Sequence, residues 1–373
     1  MLPAKPATFG RLSDVFVSSL GSITGVDNRL AFARSKRTIV MLVDGLGAHN
    51  LKAAGGHAPY LNEALAATKP IACGFPSTTA TSITSFGTGL AAGAHGIVGY
   101  KVFDERTGQS VNMLNGWRAE QKPENWQRQT TVAQLATEKG VGAFVIGPPA
   151  YSESGFTKAT MAGASYISAR TLDDRIAAAE ALLRGNRDNW VCYLYVPELD
   201  QIAHSVGVTS SKWLNELENL NSGVRRLATA LSEGDNLTVT ADHGVIDVPE
   251  SSHVYLDEVK LDWSLIADVA GDPRVNFVYL KDRTYSDQAK KLIEAGVALS
   301  AMVLTKSQAI DAGLYGSVSD ENIWRLPDLF VMAGKNVAIY QRDYAPAASL
   351  KMIGQHGALS ANEMMVPLLH FRG

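Results

Sequence analysis

Residues 37–43 read RTIVMLV, an unbroken apolar run of strand length, and Asp44-Gly-Leu-Gly47 follows at once. A run that is apolar on both faces is not the alternating pattern of a half-exposed strand. It fits a strand buried above and below, as in a parallel sheet covered by helices. Four further runs share this character: GAFVI (142–146), WVCYLYV (190–196), NLTVT (236–240) and DLFVM (328–332). Between them lie helical patterns, at 171–183 and at 210–231. The second carries Trp213, Leu217, Leu220, Val224 and Leu227 as one stripe, which is core spacing. Strand, turn and helix in alternation predict an α/β fold with a mostly parallel central sheet flanked by helices.

The stretch from 272 to 315 differs. There VNFVYL, a polar helix around 286–295, AMVLT and a second short helix make a strand-helix-strand-helix unit. It is expected as a small α+β cap or insertion in a catalytic core formed by 1–271 and 316–373. No tandem repeat or long linker marks a boundary. The glycine pattern GTGLAAG (87–93) follows a helix instead of joining a strand to one, so it fails the context that a dinucleotide-binding loop requires.

Composition bounds the partners. The 373 residues are 46% hydrophobic and 19% charged, with 34 basic against 37 acidic side chains and a net charge of -3. Such a chain can build a large core. It has no cationic excess for gripping nucleic acid in bulk, while a nucleotide-sized ligand stays open. The N-terminal 21 residues lack a basic start followed by an apolar run, and no apolar stretch reaches membrane-spanning length. The expectation is a cytoplasmic protein without a membrane span. Cys73 and Cys192, the only cysteines, read as buried reduced thiols.

In open α/β sheets ligands gather beyond the carboxyl ends of the strands, and four such places carry acids or histidines. Asp44 follows the first run. Asp200 and His204, after WVCYLYV, stand four apart, so on a helical turn both point the same way and can share one cation. Asp242 and His243 follow NLTVT. His356 sits between glycines in GQHG (354–357). Singly, each has a plain structural reading as a turn, cap or surface pair. Together they supply three aspartates and three histidines, the inventory for two borderline-hard divalent ions. His49, His57, His95 and His253 lack such company and read as surface or packing residues.

A nucleophile is also visible. In FPSTTATSITSFGTGL (75–90), Pro76 ends an extended entry and a Ser/Thr-rich helix begins near Thr79. The free N–H groups and positive dipole end of a helix start suit a phosphoryl group. A threonine hydroxyl is a weak nucleophile near neutral pH unless a divalent cation lowers its pKa, so a hydroxyl here calls for the ligands above.

Taken in order, VDGLG (43–47), FPSTTATSITSFGTGLAAGAHGIVGY (75–100), YVPELDQIAHSVG (195–207), TADHGVIDVP (240–249) and GQHG resemble the alkaline phosphatase superfamily, specifically its nucleotide pyrophosphatase/phosphodiesterase members. The resemblance implies a two-metal phosphoester hydrolase with Thr79 as nucleophile, or Thr78 if the register slips by one. It implies that Asp200, His204 and His356 hold one zinc. Asp44, Asp242 and His243 would hold the second, which also meets the Thr79 oxygen; manganese is the alternative ion. Where the family often has an asparagine to hold a phosphoryl oxygen, three residues after the nucleophile, this chain has Ser82. The substrate implied is a small phosphodiester or nucleotide, cleaved through a phosphothreonine intermediate. A phosphonoacetate-type hydrolase cleaving a C–P bond is the nearest alternative, followed by a phosphomonoesterase. A silent phosphate-binding protein would need a missing ligand, and none is missing. Specificity is expected from the insertion and from the segment 151–166, and the oligomeric state is not legible.

Overall fold

The computed structural model describes residues 10–117, 122–343 and 345–373. Residues 1–9, part of the stretch read for a secretory signal, lie outside the described residues. Helix α1 (Ser13–Thr24) leads into β1 (Arg37–Val43), every residue of which is buried. Helix α2 (Thr79–Thr88) follows, then β2 (Gly142–Gly147) and β3 (Ser165–Ser168). Next come α3 (Leu172–Gly185), β4 (Trp190–Val196), α4 (Glu198–Val206), α5 (Ser211–Thr229) and β5 (Asp235–Thr240). The helix starts obey local chemistry: Thr171 accepts from Asp174 N in a capping box, and Ser210 caps α5 through Trp213 N.

A second group comprises β6 (Ile266–Asp272), β7 (Val275–Leu280), α6 (Ser286–Val297), β8 (Ala301–Thr305), α7 (Lys306–Asp311) and β9 (Leu329–Ala333). The chain closes on β10 (Leu368–Arg372). The central sheet runs β10-β5-β1-β4-β2-β3. Five of its strands are parallel, and only the edge strand β10 is antiparallel to its neighbour β5. The fold is therefore the expected helix-flanked α/β sheet, mixed by one strand.

The run 328–332 does not join that sheet. It forms β9, which pairs antiparallel with β7 and β8 in a four-stranded sheet ordered β6-β7-β9-β8. The reason is legible in its burial. Phe330 and Met332 face the main core, while Leu329, Val331 and Ala333 face a second core with Ala289, Ile293 and Val297 of α6. A strand between two cores is apolar on both faces whichever sheet holds it, so its sequence resembles a parallel strand. The strand-helix-strand-helix unit read in 272–315 is present as β7, α6, β8 and α7. Its sheet is completed by β6 and β9, which come from either side of that span.

One buried ion pair ties this second sheet to the rest. Arg274, at the turn into β7, donates from Nε and Nη2 to Glu363 Oε1 and Oε2 at 2.9 and 2.8 Å, both side chains being enclosed. Glu363 also accepts from Ala358 N at 3.0 Å through Oε1, and its backbone carbonyl accepts from Gly244 N at 2.8 Å. Removing one partner of such a pair costs about 3–5 kcal/mol. Among the described residues, no helix is long and apolar enough to cross a membrane.

Candidate active site

Strand order decides what can meet. In the central sheet β1 lies between β4 and β5, with Val43 opposite Val196 and Leu42 opposite Thr240. Asp44 is two residues past Leu42 and Asp242 two past Thr240, so both carboxylates emerge at one level. Asp200 and His204 arrive on α4, which starts directly after β4. The turn after β1 needs Gly45, whose φ is +74° and where a Cβ would meet the Asp200 Cβ at 3.0 Å. His356 is delivered by the loop after Gly354–Gln355, a short strand paired with Ile246–Asp247.

These side chains converge. His204 Nε2 lies 3.1 Å from Asp200 Oδ2, and His356 Nε2 lies 3.9 Å from Asp200 Oδ1. His243 Nε2 is 3.3 Å from Asp44 Oδ1 and 3.5 Å from Asp242 Oδ2. The rings of His243 and His356 stack at 3.6 Å. Two sets have ligand atoms within 4.8 Å of one another: Asp200, His204 and His356, and Asp44, Asp200 and His243. Asp200 belongs to both, so the two sets are adjoining. Asp242, which the resemblance placed in the second set, touches it through His243.

Hydrogen bonding prepares the same atoms. Each imidazole turns Nδ1 to a backbone carbonyl: His204 to Gly354 at 2.7 Å, His356 to Ser77 at 2.9 Å and His243 to Gly244 at 3.3 Å. A carbonyl only accepts, so Nδ1 carries a proton in each ring and Nε2 is the atom turned to the cluster. Asp242 Oδ1 accepts from Gly45 N at 3.1 Å and from its neighbour His243 N at 3.0 Å. Its Oδ2 and Asp200 Oδ1 are buried with no hydrogen-bond partner among the described residues. Buried carboxylate oxygens without donors are costly, and a divalent cation would satisfy both. The residues present therefore fit metal ions.

Electrostatics report the same crowding. Burial, with Asp44 beside it, pushes the Asp242 carboxyl well above the usual range. Burial alone would lower His243, yet Asp242, Asp44 and Asp200 override it and raise the imidazole to about 10. For Asp200, burial acts upward, but His204, His356 and His243 hold it below the ordinary carboxylate value. His204 is raised by Asp200 and the Gly354 carbonyl against its burial, while His356 is lowered by burial and by His243.

Thr79 opens α2 at this cluster. Its Oγ1 lies 3.1 Å from His243 Nε2 and 3.5 Å from Asp44 Oδ1. Thr78 precedes it in extended conformation and makes no side-chain capping bond, so the first-turn N–H groups stay free of a side-chain cap. Of the two adjacent threonines, Thr79 is the one whose hydroxyl meets the cluster. Ser82, one turn on, is fully enclosed beside the Cys73 thiol. Among the described residues, His49, His57, His95 and His253 join neither ligand set. His49 is exposed, His57 pairs with Glu218, His95 bonds Ser85 and His253 lies against Tyr340. Both cysteines are free and buried.

Beside Thr79 opens an apolar cleft walled by Tyr151, Phe156, Met161, Tyr166, Tyr193 and Tyr195. Several come from the segment 151–166. Sequence reading did not single out Tyr193 and Tyr195. Their signal is two aromatics with polar tips, two apart on a strand and so on one face. Tyr195 goes further, because its hydroxyl donates to Asp44 Oδ2.

No curated protein sequence matches the chain at a significant level. Solved structures do match it. Murine ectonucleotide pyrophosphatase/phosphodiesterase 5 aligns with a TM-score of 0.71 at 18% identity, over 90% of this chain and 88% of that one. An inactive variant of the same murine protein, in complex with AMP, gives the same figures. The human counterpart aligns with a TM-score of 0.70 at 17% identity, over 90% and 87%. At such identities the likeness concerns the fold. The sequence itself carries the family: residues 38–359 match the type I phosphodiesterase / nucleotide pyrophosphatase pattern, so the chain belongs to that family of phosphoester hydrolases, within the alkaline phosphatase superfamily.

Proposed function

We propose that the protein hydrolyses phosphodiesters or nucleotide pyrophosphates through a phosphothreonine intermediate on Thr79, with two divalent cations. One observation carries this reading: the Thr79 hydroxyl, at the start of α2, stands 3.1 Å from His243 Nε2 and 3.5 Å from Asp44 Oδ1. Divalent ions, zinc or manganese, held by Asp44, Asp200, His204, Asp242, His243 and His356 would supply the Lewis acidity that a threonine nucleophile needs. The N–H groups of the first turn of α2 bind the non-bridging phosphoryl oxygens. Thr79 Oγ1 attacks phosphorus in line, the bond to the leaving oxygen breaks, and one ester substituent stays in the aromatic cleft. Water then cleaves the phosphothreonine, returning the hydroxyl and releasing a phosphomonoester. A nucleotide substituent is supported by the AMP complex of the murine relative and by the aromatic walls, which suit a planar base.

The test is a substrate panel with metal analysis. Turnover of a bis-ester should exceed that of a mono-ester and of phosphonoacetate; fastest turnover of phosphonoacetate would replace this reading with C–P cleavage. Thr79→Ala should keep its metal and lose turnover by more than about 10³-fold. Full activity in that variant removes the covalent route.

A further inference from the structure

We propose that Tyr195 is a positioning residue: its hydroxyl fixes the Asp44 carboxylate so that one oxygen faces Thr79 and His243. The inference rests on the function proposed above. Strands β1 and β4 run parallel, with Leu42 opposite Tyr195 and Val43 opposite Val196, and Asp44 N donates to Val196 O at 2.9 Å. This register brings the Asp44 side chain beside the Tyr195 ring. The phenol donates to Asp44 Oδ2, which leaves Oδ1 at 3.3 Å from His243 Nε2 and 3.5 Å from Thr79 Oγ1. An ionised carboxylate only accepts, so a single donor on Oδ2 sets which oxygen turns to the nucleophile. Water is a poor substitute, since the Asp44 side chain is only 5% exposed.

Ring and hydroxyl serve different ends. The ring is a wall of the aromatic cleft, alongside Tyr151 and Tyr193, whereas the hydroxyl reaches out of that cleft to a candidate ligand. Tyr195→Phe separates the two, because it keeps the wall and deletes the donor. Groups that orient metal ligands are typically worth 10- to 100-fold in metal affinity or activity.

The experiment compares the parent, Tyr195→Phe, Asp44→Asn and the double variant. Each apo protein is titrated with zinc or manganese, and kcat and KM are measured on a bis-ester. Tyr195→Phe should weaken one of two cation sites, and lower kcat, by about 10- to 100-fold, leaving KM within about twofold. On the Asp44→Asn background it should add less than about a further twofold. Cation affinity and kcat within about twofold of the parent would overturn the proposal, as would effects that multiply in the double variant. The latter would mean that the hydroxyl touches substrate instead. A parent that binds cations but cleaves no ester refutes the proposed function alone, because the titration still decides the role of Tyr195. A parent that binds no cation refutes both.

Discussion

The candidate ligands around His204 and those around His243 are the same residue types in unlike settings. The side chains of His204, Asp200 and His356 are 25%, 11% and 11% exposed. Those of His243, Asp242 and Asp44 are 0%, 0% and 5% exposed. The first group hangs on a helix and a late loop at the rim of the sheet. The second grows from the ends of the two strands β1 and β5, and it alone touches Thr79. An ion held by the open group would exchange with solvent more easily, while the closed group is already arranged around the Thr79 hydroxyl. Position in the sheet, not residue type, separates the two.

Several measurements can break or sharpen that contrast. The largest effect is expected from Asp242→Asn, which alters the closed group where its carboxylate oxygen lacks a donor. Steady-state assays should show turnover reduced by more than about 10³-fold, with no recovery at raised metal concentration. A smaller loss, of about 10²-fold, should follow His204→Ala in the open group. Activity there should recover partly as free zinc or manganese is increased. Equal, unrecoverable losses in both would erase the distinction.

The smallest effect concerns a histidine enclosed without acids. Burial and Arg325 push His95 down to about 3, whereas the acids around His243 push that ring up to about 10. His95 therefore stays neutral in the native protein while the unfolded chain takes up a proton below about pH 6.5. Its folded pKa is depressed, so stability should fall as pH drops from about 6.5 towards 3. In denaturant melts, His95→Gln should flatten this acid limb. An unchanged slope would show that burial of His95 is not what sets it.

Much of this was legible in the sequence, for a physical reason. A parallel sheet hidden on both faces writes continuous apolar runs, and ligands beyond strand ends can be named once those runs are found. Asp44, Asp200, His204, Asp242, His243 and His356 were all marked that way, and the structure brings them together. The run 328–332 was misplaced because burial between two cores reads the same in either sheet. That Asp200 belongs to both ligand sets needed distances. Tyr195 escaped notice because its bond to Asp44 depends on the register of β1 against β4, which no local pattern encodes. The cleft likewise depends on where the segment 151–166 packs.

Glu363 holds both the turn after His243, through Gly244 N, and the turn after His356, through Ala358 N. Glu363 and His356 both follow residue 353, whereas Asp44, Asp200, His204, Asp242 and His243 all precede it. During synthesis from the amino end, five of the six candidate ligands leave the ribosome before Glu363 is added. A nascent chain stalled before residue 354 would therefore carry Thr79 and five of the six candidate ligands, yet lack both His356 and the residue that fastens the two turns.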